Sequence, residues 1–333
     1  MRKSQIIAVL TLVFLLVAYG IYRKLDEEFN FNFTFDNGHQ FYSPDAPPDQ
    51  IYFAGESVPL DEKKISQRFA KELKQQTYWN PARAALLDRV NYWMPQMSPI
   101  LKQYKIPDDL KYLSVVESGL QNVQSYKRAG GFWQILPETA TVYGLEINDE
   151  VDERYHPILA THAACQYLRD AHRLFGSWTS AAASYNLGMN GLTQAMLRQR
   201  KASFYQLRLN SQTTDYIFRI IAVKQLIEHP KEYGYRLSRH STLNSALRTV
   251  RVTASVPDLA TFARNYGLSY QTLRMYNPWI KRNSLTIKHS KRGYTLLLPR
   301  RGMKPPLQAM KMTLPDATDA AVNVRTDTAQ AAQ

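Results

Sequence analysis

The chain has 333 residues, enough for one large or two small domains with a sizeable core. Its net charge of +14 favours an anionic partner: nucleic acid, a membrane surface or an acidic polymer. Its one cysteine, Cys165, excludes an internal disulfide and so a disulfide-stapled fold; the apolar helical pattern around it reads as a core thiol.

The N-terminal pattern is a short basic run, "MRKSQ", followed by the uncharged stretch from Ile6 to Tyr22. Residues 1–25 are therefore expected to form a signal-anchor or transmembrane helix, with a long signal peptide as the alternative. Ala18-Tyr19-Gly20 offers a small-x-small cleavage site, whereas Arg23 and Lys24 follow the apolar run at once. No cysteine follows that run, so a lipid anchor there is not available. Either way, most of the chain is expected to be exported. Residues 26 to about 60 are acidic, aromatic and proline-containing, and read as an extended spacer with little core of its own. A lead-in helix is expected from Asp61, so that spacer and helix together occupy 26–74.

Helical spacing of apolar residues then recurs from 75 to 238, and predicts one all-helical domain. Pro107 and Asp108 mark the start of one helix, "IPDDLKYLSVVESGL". On it Leu110, Leu113 and Leu120 define one face. Glu117, four after Leu113 and three before Leu120, shares that face. Burial raises a carboxyl pKa, and Gly119 is expected to end the helix, which places Glu117 at the negative end of the dipole. A carboxyl protonated near neutral pH is what a general acid requires. A buried Glu paired with Arg or Lys satisfies the same spacing.

After Arg239 the pattern changes. "LRTVRVTAS" reads as a strand, "VPDLATFARNYG" and "LSYQTLRMYNP" as short helices with Gly267 as a C-terminal cap, and "GYTLLLP" as a closing strand. Residues 246–301 thus form a βααβ unit, and the Ala/Thr/Asp-rich residues 302–333 are expected to be disordered. The fold class expected is mainly α with this small βααβ domain. The seven histidines show no metal-site spacing, no G-x-S-x-G elbow is present, and no Gly-rich phosphate loop appears. No metal or cofactor is expected.

"ESGLQNVQS…AGGFWQILPETA" followed by "SYNLGMNGL" resembles the catalytic domain of the lytic transglycosylases, and is most similar to the membrane-bound lytic transglycosylase D type. Glu-Ser at 117–118, Gly-Phe-Trp-Gln at 131–134 and Tyr-Asn at 185–186 occur in the family's order. "YFAGESVPL", "IPDDLKYL", "VDERYHP" and "YIFRIIAVK" extend the likeness over roughly 50–240.

The resemblance implies a lysozyme-like helical domain. It implies that Glu117 is the sole catalytic acid and then base, cleaving the bond between N-acetylmuramic acid and N-acetylglucosamine in peptidoglycan. The muramyl 6-hydroxyl would attack C1 and leave a 1,6-anhydro end. It further implies that Tyr185 bonds and orients Glu117, that Asn186 supports the site, and that Ser118, Ser125 and Gln134 lie at or near substrate. Gly131 would let backbone approach the glycan. Trp133 could stack on a sugar or pack in the core. Two departures stand out: "YKR" fills the loop between Ser125 and Ala129 where relatives have small residues, and Gln212 stands where the family often has Glu.

The βααβ unit resembles a divergent LysM module, a binder of N-acetylglucosamine-containing glycans, although the usual Gly-Asp-Thr is missing. From Leu247 to Arg301 there are eleven lysines and arginines against one acid, Asp258. Such a surface suits anionic cell-wall polymer; no nucleic-acid recognition motif is present, and none is expected as a partner. The expected setting is the cell envelope, membrane-anchored and facing the periplasm. Two alternatives stay open: a muramidase that uses water on the same bond, and a catalytically silent wall-binding scaffold.

Overall fold

The computed structural model describes residues 50–77, 81–235, 247–287 and 293–299. The expected N-terminal apolar helix, the spacer up to 49 and the C-terminal tail lie outside them. Among the described residues no helix is long and apolar enough to cross a membrane.

A two-stranded hairpin opens the structure, β1 (Tyr52–Phe53) and β2 (Glu56–Ser57), turned at Gly55 with φ +81°. Among the described residues the large domain continues with α1 (Lys63–Thr77), α2 (Pro81–Gln103), α3 (Tyr112–Ser118), α4 (Pro137–Val142), α5 (Pro157–Phe175), α6 (Trp178–Leu187) and α7 (Met189–Gln199). Its last long helix is α8 (Ser211–Glu228). The helix ends follow local chemistry. His156 caps α5 with Pro157 at its first position, Ser177 caps α6 and Asn210 caps α8. Gly119 and Gly176 close α3 and α5 in the left-handed conformation.

Residues 50–60 are not the extended spacer expected. Ile51, Phe53 and Val58 are buried in the same core as Leu113 and Trp133. The hairpin also supplies Glu56, whose carboxylate accepts from Trp178 N (2.5 Å), Thr179 N (3.0 Å) and Ser177 Oγ (2.9 Å) at the start of α6. An anion there satisfies orphan N–H groups and meets the positive end of the dipole. Helix α1 likewise packs along α8 and buries Phe69 and Leu73 completely. Each such side chain contributes roughly 1.5–3 kcal/mol of burial. The boundary expected at residue 75 therefore falls inside one core.

The smaller unit has the expected order: β3 (Leu247–Val252), α9 (Leu259–Asn265), α10 (Tyr270–Tyr276) and β4 (Tyr294–Pro299). β3 and β4 pair antiparallel, from Leu247 opposite Pro299 to Val252 opposite Tyr294. Asp258 caps α9 by accepting from Ala260 N and Thr261 N, and Gly267 follows the helix end with φ +73°. Leu259, Leu273, Trp279 and Leu296 fill a second core.

Candidate active site

A 3₁₀ turn, Asp108–Lys111, leads directly into α3. Leu110, Leu113 and Leu120 are all buried, so the face they define points into the core. Glu117 sits in the last turn of α3, two residues before the left-handed Gly119. It is mostly enclosed but opens partly to solvent. Burial pushes its carboxyl up from the ordinary range to about 7, against the opposing pull of a Tyr216 hydrogen bond and the Arg219 charge. A group so placed exchanges its proton near neutral pH, as an acid that must also serve as a base requires.

The hydrogen bond expected from Tyr185 is made by a different tyrosine. Tyr216, buried on α8, donates its hydroxyl to Glu117 Oε1 at 2.5 Å. Oε2 has no protein partner among the described residues. Burial first, and then the neighbouring Glu117 charge, hold the Tyr216 phenol well above its ordinary pKa, so it remains a donor. Tyr185 instead donates to Trp133 O at 2.8 Å. Its phenol is also raised well above the ordinary range, by burial and then by Glu117, which puts it within reach of the carboxylate's field. It thus braces the loop of Trp133 close to Glu117.

Arg219 lies three residues beyond Tyr216 on α8, and its Nε donates to Glu72 Oε2 at 3.2 Å. Glu72 is 2 % exposed on α1, so the pair fixes a cation near Glu117 from the side of the lead-in helix. Among the described residues, no second carboxylate acts on Glu117. Tyr216, Arg219 and Glu72 were not singled out as site residues in the sequence. The available signal was Tyr216 and Arg219 on one helix, inside "YIFRIIAVK".

The other expected residues divide into loop supports and open groups. Ser118 Oγ donates to Phe132 O at 2.8 Å and so ties the end of α3 to the Gly131–Gln134 loop. Ser125 closes the turn to Ala129: its Oγ accepts from Ala129 N at 3.1 Å and its N donates to Ala129 O at 2.9 Å. That turn projects Tyr126, 90 % exposed, together with exposed Lys127 and Arg128. Protein packing by itself requires glycine at 131. At φ +76° a Cβ would lie 1.9 Å from Arg154 O. Trp133 is fully buried and donates Nε1 to Thr161 Oγ1 at 2.9 Å, so it is a core residue and not a stacking platform. Gln134 Nε2 donates to Val123 O and Gly131 O, both at 2.9 Å, and its Oε1 has no protein partner among the described residues. Asn186 Oδ1 accepts from Thr213 Oγ1 at 3.1 Å, joining α6 to α8. Gln212 is exposed at the start of α8. Cys165 is buried, and burial pushes its thiol up to about 12, as expected for a core group.

The comparisons with known proteins fall on these elements. Residues 99–207 match the transglycosylase SLT domain, a span that holds Glu117 and all six other expected site residues but stops short of Tyr216. Residues 248–302 match the soluble lytic transglycosylase C-terminal LysM-like domain. The chain is 26% identical over 251 residues to membrane-bound lytic murein transglycosylase D of Escherichia coli K12, and equally to that of Escherichia coli O6:H1. These alignments cover 72% of this chain and 54% of each relative, so the chain spans about half the length of the curated relatives it matches. A half-buried glutamate near the end of a short helix, a glycine-bearing loop tied beside it and a basic βααβ unit thus coincide with the two matched models: residues 99–207 are similar to a transglycosylase SLT domain and residues 248–302 to a LysM-like domain.

Proposed function

We propose that this protein is a peptidoglycan lytic transglycosylase that cleaves the β-1,4 bond between N-acetylmuramic acid and N-acetylglucosamine. The observation that carries this reading is Glu117: one carboxyl, raised to about 7, with one oxygen held by Tyr216 and the other free of partners among the described residues. The protonated carboxyl gives its proton to the glycosidic oxygen as that bond to C1 breaks. The resulting carboxylate takes the proton of the muramyl 6-hydroxyl as its oxygen bonds to C1, which closes the 1,6-anhydro ring. No water is consumed. A direct hydrolase needs a second group to activate water or form a covalent intermediate. An intramolecular hydroxyl needs only one acid/base, because it is already held close at high effective molarity. The match to the SLT domain supports the same assignment.

Tyr216 holds Glu117 in place, Tyr185 stands beside it, and Gln134 Oε1 is available to accept from a sugar N–H or hydroxyl. Ser118, Ser125, Gly131 and Asn186 keep the surrounding loops in register. The LysM-like unit, with its eleven basic residues, is read as contacting anionic cell-wall glycan. The apolar stretch Ile6–Tyr22 is read as a membrane anchor that leaves the catalytic domain in the periplasm. The Escherichia coli relatives are named membrane-bound, in keeping with that placement.

Mass spectrometry of peptidoglycan digested with the wild-type chain and with Glu117→Gln tests the reading. Anhydro-muramyl ends from wild type alone are expected. Reducing muramyl ends would make the protein a muramidase, and binding without cleavage by either chain would make it a scaffold.

A further inference from the structure

The LysM-like unit is not held to the large domain by chain connection alone. A strand-like bridge joins Val151 to Ile280, with Asp152 N donating to Trp279 O (2.8 Å) and Lys281 N donating to Glu150 O (2.7 Å). The Glu150 carboxylate is the polar centre of this junction. It accepts from the Ser284 hydroxyl, from Thr286 N at 2.8 Å and from Thr286 Oγ1 at 3.1 Å. Val151 and Tyr155 are buried within the second core, although the sequence assigns them to the large domain. Tyr294 on β4 adds a bond to Glu146 Oε2 at 2.8 Å.

The same segment braces the catalytic loop from its other side. Arg154, 4 % exposed and paired with Asp152, donates to Arg128 O (2.5 Å) and Ile135 O (3.2 Å). The Arg154 carbonyl lies where only a glycine at 131 fits. Tyr155 O accepts from buried Asn122 at 2.9 Å, just past the end of α3. The loop so held presents Phe132 O to Ser118 and Trp133 O to Tyr185, the neighbours of Glu117. A half-tethered glycan-binding arm needs none of these contacts. A part of the catalytic scaffold needs all of them.

We propose that Glu150 is a positioning residue: it locks the LysM-like unit onto segment 146–156, so that this unit serves as a fixed brace of the Gly130–Gln134 loop beside Glu117. The proposal rests on the transglycosylase reading for its effect on rate, but not for its effect on the loop. Glu150→Ala in the full chain removes the bonds from Ser284 and Thr286 at the junction and leaves every group that faces Glu117 in place.

Two readouts test it. In hydrogen exchange, the amides of 130, 131, 134 and 135 are expected to exchange about tenfold faster in the variant, with α5 unchanged. On a short soluble glycan, kcat is expected to fall about fivefold with KM within about twofold, as lost positioning requires. Glu150→Gln, which keeps one acceptor oxygen, is expected to recover part of both. If Glu150→Ala does not fold, Tyr294→Phe probes the same junction more gently. Faster exchange confined to 146–153 and 247–287, with residues 130–135 as protected as in wild type, would overturn the proposal. So would a rate loss seen only on insoluble wall. Coupled exchange in a chain that cleaves no glycan would uphold the brace and refute the transglycosylase reading.

Discussion

Two glutamates of the large domain sit in opposite electrostatic settings. Glu56 lies at the N-terminal end of α6, where two backbone N–H groups and a hydroxyl point at it. Burial works against its charge, but the bonds from Thr179, Trp178 and Ser177 hold its carboxyl below the ordinary range. Glu117 lies at the C-terminal end of α3, where the dipole is negative and a single phenol donates. Burial wins there and its carboxyl rises to about 7. The same side chain keeps its charge to lower pH in one place and keeps its proton to higher pH in the other. The direction of the helix and the number of donors decide which. Glu56 is met by several donors, whereas Glu117 is left short of them.

The largest expected effect comes from removing the proton carrier. Glu117→Gln should lower kcat on peptidoglycan by about 10²–10⁴-fold, read as anhydro-muropeptide release, while binding to the wall is retained. A smaller loss would mean that another group carries the proton.

The same substitution should stabilise the fold at alkaline pH. The folded carboxyl binds its proton more tightly than the unfolded one, so the wild type is relatively most stable below about 4.5 and loses that advantage as pH rises through about 7. Above pH 7, Glu117→Gln should exceed wild type by up to about 3 kcal/mol in urea unfolding, and the gap should close toward pH 4. A gap that does not vary with pH would show that Glu117 is not raised.

Glu56→Ala should act in the opposite sense. It strips a cap from α6 and should cost about 1–2 kcal/mol at pH 7. That loss should shrink as acid protonates Glu56, and the pH of half-maximal activity should stay where Glu117 puts it. A shifted pH profile would mean that the two carboxylates are coupled.

Tyr216→Phe gives the smallest change. Its hydroxyl favours the charged form of Glu117, so losing it should move the alkaline limb of the rate upward by roughly one pH unit at most. Tyr185→Phe should leave that limb in place, because its bond is to Trp133 O. Equal shifts from both would remove the distinction between them.

Much of this contrast was legible in the sequence from one side only. Glu117 showed itself by phase with three leucines and by the glycine two residues on, because both signals are local to one helix. Tyr216 lies 99 residues away, and Glu72 lies 147 residues from Arg219. Partners at such separations are chosen by tertiary packing, which periodicity does not report. Glycine at 131 was legible as a need for close approach, but the approaching atom, Arg154 O, comes from a segment 23 residues on. The spacer-like composition before Asp61 hid a hairpin whose few apolar residues, Ile51, Phe53 and Val58, find a core built by later helices. The βααβ unit was legible element by element, since its caps and strands are local. Its docking through Glu150 was not.

The central claim is that Glu117 transfers a proton to and from sugar oxygens and never activates water. Digestion of purified peptidoglycan in heavy-oxygen water, followed by mass spectrometry of the muramyl ends, tests it most directly. The account predicts anhydro ends that carry no heavy oxygen, formed by wild type and absent with Glu117→Gln. Reducing muramyl ends labelled with heavy oxygen would contradict it.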